Sequence, residues 1–199
     1  LMPLGDYPFS KHYGWVQDRF GVSWQLILTN PAGEERPRII PSLLFVGDVC
    51  GKAEEATNTY LSIFKGSRRG TLARYPAGMP LDKEGTVMFT DINLLEQWFA
   101  AMDSAANHAF RFNEGVSLII TCDTQDEIDY FWSKLSADPR AEQCGWLKDA
   151  YGVSWQVVPR IMSEIFKEHD EAALKRVTAA FLQMKKFDIP KIMSTKKGF

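Results

Sequence analysis

The spacing of apolar and polar positions divides the chain into short strands and three amphipathic helices. The runs VSWQLIL after Gly21 and VSWQVV after Gly152 follow turn residues and read as strands. Residues 39–47, IIPSLLFVG, predict another. Over 52–65, Ala53, Ala56, Tyr60, Ile63 and Phe64 share one helical face, with Lys52, Glu54, Glu55 and Asn58 opposite. Residues 71–75 and 85–92 predict strands. Residues 96–103, EQWFAAMD, suit either period and are assigned to a strand that completes a sheet. A loop over 104–114 precedes a strand at 115–122. Thr124 and Glu127 have capping-box spacing, and Ile128, Phe131, Trp132 and Leu135 form the apolar stripe of the helix that follows. A last helix is predicted over 168–186, with Ala173, Val177, Ala180, Phe181 and Met184 on one side. The basic tail 191–199 is expected to fray.

One pattern occurs twice. Residues 14–25 read GWVQDRFGVSWQ and residues 145–156 read GWLKDAYGVSWQ, with eight of twelve positions identical at an offset of 131. That offset is too long for a solenoid period. It indicates parts of two duplicated units. Asp18 or Asp149, three residues before Gly21 or Gly152, is turn chemistry, so each copy predicts a strand–turn–strand corner. Residues 1–30 then read as a closing hairpin, 31–38 (Pro-, Gly- and charge-rich) as a linker, 39–160 as the main domain, and 161–199 as a C-terminal helix and tail. The opening Leu1-Met2-Pro3 lacks an initiator methionine, so the hairpin is expected to be the end of a truncated module.

Composition narrows the classes. The 199 residues carry a net charge of −2, which offers no basic excess for nucleic acid. No run approaches the roughly 18 apolar residues of a membrane helix. The three cysteines (Cys50, Cys122, Cys144) form no CxxC pair, which suits a reducing, cytoplasmic setting. His12, His108 and His169 do not cluster. Gly47 to Ala53 has the wrong spacing for a phosphate loop and lacks its Ser/Thr. Ser154 lacks the second glycine of a nucleophile elbow and reads as a strand residue. No glycine-rich strand-to-helix turn of the kind that holds S-adenosylmethionine follows any strand.

The order over 39–158, βαβββ and then βαββ, with LLFVGDVCGKAEEATNTYLSIF, FRFNEGVSLIITCDTQDEIDYFW, QCGWLKDAYGVSWQVVP and RVTAAFLQMKKFDI, resembles the vicinal-oxygen-chelate superfamily. Within it the chain is similar to the PhnB-like, 3-demethylubiquinone-9 3-methyltransferase-like group. The resemblance implies an α+β, glyoxalase-like fold: paired βαβββ modules whose strands join in one curved, mixed sheet, plus a C-terminal helix. It also implies a pocket on the concave face. The family's metal-ligand positions fall on Pro41, on Ser117, on Gln156 and within 98–103, where Asp103 is the only acid. Proline offers no donor, and serine and neutral glutamine are poor ones, so no metal or other cofactor is expected.

The expected pocket is lined by Phe45, Trp98, Met102, Asp103, Ser117 and Gln156, with Gln156 inward and Trp155 in the outer packing. Catalytic residues are not identified. The first expectation is metal-independent binding or turnover of a small, partly apolar molecule. Two alternatives stand beside it: a non-catalytic dimeric module, and a metal-dependent lyase or dioxygenase using Asp103, His108 and Gln156. A homodimer is the expected assembly, with neither nucleic acid nor membrane as partner.

Overall fold

The computed structural model describes residues 1–29 and 32–198. The expected boundary at 30/31 between hairpin and linker lies outside the described residues. Two compact units are distinguished, 1–39 and 40–199.

The first unit is an antiparallel sheet of β1 (Met2–Tyr7), β2 (Ser10–Gln17) and β3 (Ser23–Ile27), in that order. The sequence reading had the β2–β3 hairpin and missed β1. Gly21 ends the turn at φ +87°, a left-handed conformation that favours glycine.

In the second unit β4 (Ser42–Phe45), α1 (Ala53–Ile63), β5 (Arg68–Arg74), β6 (Val87–Leu94) and β7 (Gln97–Asp103) form a βαβββ module. Its sheet order is β4-β7-β6-β5, with β4 parallel to β7. Residues 97–103 are therefore a strand, as their place in the sheet suggested. The second module comprises β8 (Ser117–Cys122), α2 (Gln125–Leu135), β9 (Trp146–Lys148) and β10 (Ser154–Pro159), in the sheet order β8-β10-β9. The expected capping box is formed: Glu127 N–H donates to Thr124 Oγ1 at 3.2 Å, and Thr124 N–H to Glu127 Oε2 at 3.2 Å.

Helix α1 has no local side-chain cap. Its start is held by Asp103, fifty residues away. Asp103 Oδ1 accepts from Gly51 N–H at 2.7 Å and Ala53 N–H at 3.1 Å, and Oδ2 accepts from Val87 N–H at 2.9 Å. The core lies between helices and sheets. Phe45, Ala56, Tyr60, Ile92, Ile128, Leu147 and Val157 are all buried there.

The α+β fold of paired modules is as expected; its strands fall in separate ladders, with none linking β4 to β8 among the described residues. The C-terminal expectation needs correction. The C-terminal part is three helices, α3 (Arg160–Lys167), α4 (Glu171–Phe181) and α5 (Ile189–Lys197). The tail does not fray. Asp188 caps α5 by accepting from Lys191 N–H at 2.9 Å, Pro190 lies in its first turn, and Ile192 is fully buried. No helix among the described residues is long and apolar enough to cross a membrane.

Candidate functional site

Strand register decides which candidates share a face. In the first module Phe45 pairs with Asp103, and Ala101 with Thr90. These point toward α1, as Asp103's bonds to the α1 start show. Phe45 is fully buried against Phe112 and Tyr151. Phe45 and Asp103 thus belong to the core and the helix cap, not to a pocket. Trp98 and Met102 alternate with Phe99 and Ala101 on β7 and so point to the far side of the sheet, away from α1. Trp98 packs under the Arg68 guanidinium, 4.7 Å from the ring centroid. Asp91, which the sequence reading missed, lies on the same far face. Its Oδ1 accepts from Thr71 N–H at 2.5 Å, opposite a register shift in β5.

In the second module Trp155, Val157 and Leu147 face the helices, and Trp155 stacks on Phe64, the residue that caps the end of α1. Their neighbours Ser154 and Gln156 on β10, Ser117 and Ile119 on β8, and Trp146 and Lys148 on β9 make up the far face. Gln156 Nε2–H donates to Ser117 Oγ at 2.8 Å. The register brings together Ser117, Ser154 and Lys148 as one row across three strands. The Lys148 ammonium pairs with Glu114, and this holds the Glu114 carboxyl below its ordinary range.

Two hollows border this face. One, of about 260 Å³, is lined by Glu114, Ala141, Trp146, Leu147, Lys148 and Ser154. The other, of about 370 Å³, runs along the outer edge of β8 between Ser117–Thr121 and the Leu94–Phe99 turn. Ser154 is 2% exposed, and its Oγ finds no hydrogen-bond partner among the described residues. A buried hydroxyl left unpaired costs about 1–3 kcal/mol. Ser154 and Lys148 were not among the sequence candidates. The signal that would have found them is parity, because both sit at even spacing from Gln156 or Trp146.

The metal-ligand positions do not fit a divalent ion. Pro41 has no side-chain donor atom and its carbonyl oxygen accepts from Ala100 N–H, Ser117 and Gln156 are bonded to each other, and both Asp103 oxygens are taken up by backbone N–H groups. No group of three or more His, Cys, Asp or Glu side chains suited to a metal occurs among the described residues. His108 lies beside Ser104, with Nε2 at 2.9 Å from the hydroxyl, remote in register from Gln156.

Residues 3–27 and 37–158 match the family described as 3-demethylubiquinone-9 3-methyltransferase. Among solved structures the chain is similar to the PhnB protein of Bacillus cereus, with 39% identity, 62% of this chain and 99% of that one covered, and a TM-score of 0.53. It is more distantly similar to a protein from Pseudomonas aeruginosa (19% identity, 62% and 98% covered, TM-score 0.49). A glyoxalase/bleomycin resistance protein from Albidiferax ferrireducens is also found (9% identity, 61% and 98% covered, TM-score 0.37). No curated protein matches the chain. The chain belongs to the 3-demethylubiquinone-9 3-methyltransferase-like, PhnB-like family.

Proposed function

We propose that this family member binds a small, partly apolar molecule on the far face of the β8-β10-β9 sheet, without a metal. The unpaired, buried Ser154 hydroxyl carries the reading. Ser154 lines the adjoining hollow with its Oγ unpaired just beneath the surface, and a small local shift would let a ligand oxygen there become its partner. Trp146 offers an aromatic wall, and the Glu114–Lys148 pair and the Ser117–Gln156 pair add a few polar groups. Such a mixture is what ligand pockets need, and about 260 Å³ is at or below the small end of their range, roughly 300–1,000 Å³. The ligand class is therefore a single ring with a hydroxyl or carbonyl handle, such as a hydroquinone, a phenol or an aromatic acid. The family's description, which refers to a quinone substrate, agrees with that class. The donor set at the metal-ligand positions supports the metal-independent part.

A thermal-shift series with hydroquinones, phenols and aromatic acids tests the proposal. A ligand at ten times its Kd stabilises the fold by about 1.4 kcal/mol. That raises Tm by roughly 3–6 °C in a chain of this size. The shift must shrink in Ser154→Ala. A series with no shift, or a shift equal in Ser154→Ala, removes the proposal.

A further inference from the structure

The far face of the repeated hairpin differs in charge between its two copies. In the β9–β10 copy that face carries Trp146, Lys148, Ser154 and Gln156, and the matching positions of the β2–β3 copy are Trp15, Gln17, Ser23 and Gln25. Three of the four residues are the same. The turn carboxylate closes both copies alike. Asp149 Oδ1 accepts from Tyr151 and Val153 N–H at 2.9 and 3.0 Å, and Oδ2 from Trp155 Nε1–H at 2.8 Å. Asp18 Oδ1 accepts from Phe20 and Val22 N–H at 2.9 and 3.0 Å, and Oδ2 from Trp24 Nε1–H at 3.0 Å. Where the second copy has Lys148, the first has a neutral amide, and Gln17 Nε2–H donates to Gly21 O of its own turn at 3.0 Å. The corner therefore closes without a cation, and the hairpin does not need the Lys148 ammonium.

The Glu114–Lys148 pair is lopsided. The lysine side chain is 25% exposed and rises from β9, where the Lys148 carbonyl also accepts from Ala137 N–H at 2.9 Å. The glutamate side chain is 62% exposed and lies on the connection from β7 to β8, in a turn where Asn113 Oδ1 accepts from Gly115 N–H at 2.8 Å. The sheet fixes the cation, whereas the anion is an exposed side chain free to leave. Directly opposite Lys148 stands Ser154, whose hydroxyl Glu114 does not reach. Residues paired in this way have Cβ atoms about 4.5–5.5 Å apart. A flexible ammonium and a hydroxyl so placed come within reach of the two oxygens of one carboxylate. Trp146 borders the same hollow, and every residue named at this site belongs to the unit 40–199.

We propose that the site takes an aromatic monocarboxylate, that Lys148 selects it, and that Glu114 occupies the place of its carboxylate until it arrives. The ligand carboxylate accepts from the Lys148 ammonium and the Ser154 hydroxyl, the ring lies along Trp146, and the Glu114 side chain swings to solvent. That swing supplies the local shift that lets Ser154 meet the ligand. One ion pair replaces another, and the ligand adds a Ser154 bond that Glu114 does not make. The inference rests on the ligand reading above and narrows it to anions.

The probes are benzoate and its neutral isostere benzamide, titrated separately into the full chain at pH 7, where a carboxylic acid is ionised. Dissociation constants are read from saturable shifts in nitrogen–proton correlation spectra. Benzoate should bind about tenfold tighter, because a hydrogen bond to a charged group is roughly twice as strong as a neutral one. In Lys148→Met the ratio of the two constants should fall to about one. Glu114→Gln removes the competing carboxylate and should tighten benzoate about tenfold. Equal affinities in the natural chain overturn the inference. A preference that survives Lys148→Met, or a benzoate affinity that Glu114→Gln fails to raise, also overturns it. In each of these cases benzamide binding that weakens in Ser154→Ala leaves the ligand reading standing. Binding of neither probe, or binding indifferent to Ser154→Ala, removes the ligand reading and the inference together.

Discussion

Replacing Tyr60 with phenylalanine isolates one hydrogen bond of the cage around Asp149. The Tyr60 hydroxyl lies 2.7 Å from Asp149 Oδ2, and Tyr60 is 1% exposed. The variant keeps the ring, so the packing on Trp155 and Tyr151 survives and no cavity forms. What is lost is a buried bond to a charged acceptor, typically about 1.5–3 kcal/mol. At about 2–4 °C per kcal/mol, Tm should fall by roughly 3–12 °C. The assay is equilibrium urea unfolding at pH 8, followed by tryptophan fluorescence. The repeat provides an internal control: Asp18 lacks the tyrosine donor, so Asp18→Asn should leave the main transition in place. A loss below about 0.5 kcal/mol for Tyr60→Phe would refute the claim that this carboxylate ties the second hairpin to α1.

Ser154→Ala should do two things at once: stabilise the chain by about 1 kcal/mol in urea unfolding, because an unpaired hydroxyl is removed, and weaken ligand binding. Asp103→Ala deprives Gly51, Ala53 and Val87 N–H of their acceptor. It should cost about 3 kcal/mol or more, with hydrogen exchange at Ala53 accelerated most. Burial pushes the Cys122 thiol up to about 12, so a disulfide reagent at pH 8 should leave Cys122 unmodified until the chain unfolds. Burial also raises the Asp149 carboxyl above its ordinary value, outweighing the donors around it. The native state then binds this proton more tightly than the unfolded chain. The contribution is present in full below the unfolded carboxylate pKa and is lost as pH rises through the native value. Urea midpoints measured from pH 3.5 to 8 should therefore fall with pH for the natural chain relative to Asp149→Asn.

Features written as local periodicity were legible in the sequence. The α1 stripe, the Thr124–Glu127 box and the repeated Asp-x-x-Gly corner each depend on residues within one turn or hairpin. Long-range roles were not. Asp103 looks like a pocket acid because its partners, the α1 start and Val87, are distant in sequence and leave no spacing to read. Phe45 was misplaced for a related reason: both faces of β4 are apolar, so only its pairing with β7 shows which one meets α1. The site row of Ser117, Ser154 and Lys148 depends on the register of three strands, and a register shift of one residue would have turned it to the core. The C-terminal helix α5 carries start signals in Asp188 and Pro190, but its apolar stripe, Ile189, Ile192 and Met193, is too short to set it apart from a basic tail.

The most direct measurement uses the tryptophan indoles. The chain has six, at positions 15, 24, 98, 132, 146 and 155, which give up to six N–H signals in a nitrogen–proton correlation spectrum. Each is assigned by a single Trp→Phe variant. Titration with a hydroquinone should move the Trp146 signal in a saturable way and should lose that effect in Ser154→Ala. Saturable shifts confined to other indoles, or a Trp146 response that Ser154→Ala leaves unchanged, would contradict a ligand site on the far face of the second sheet.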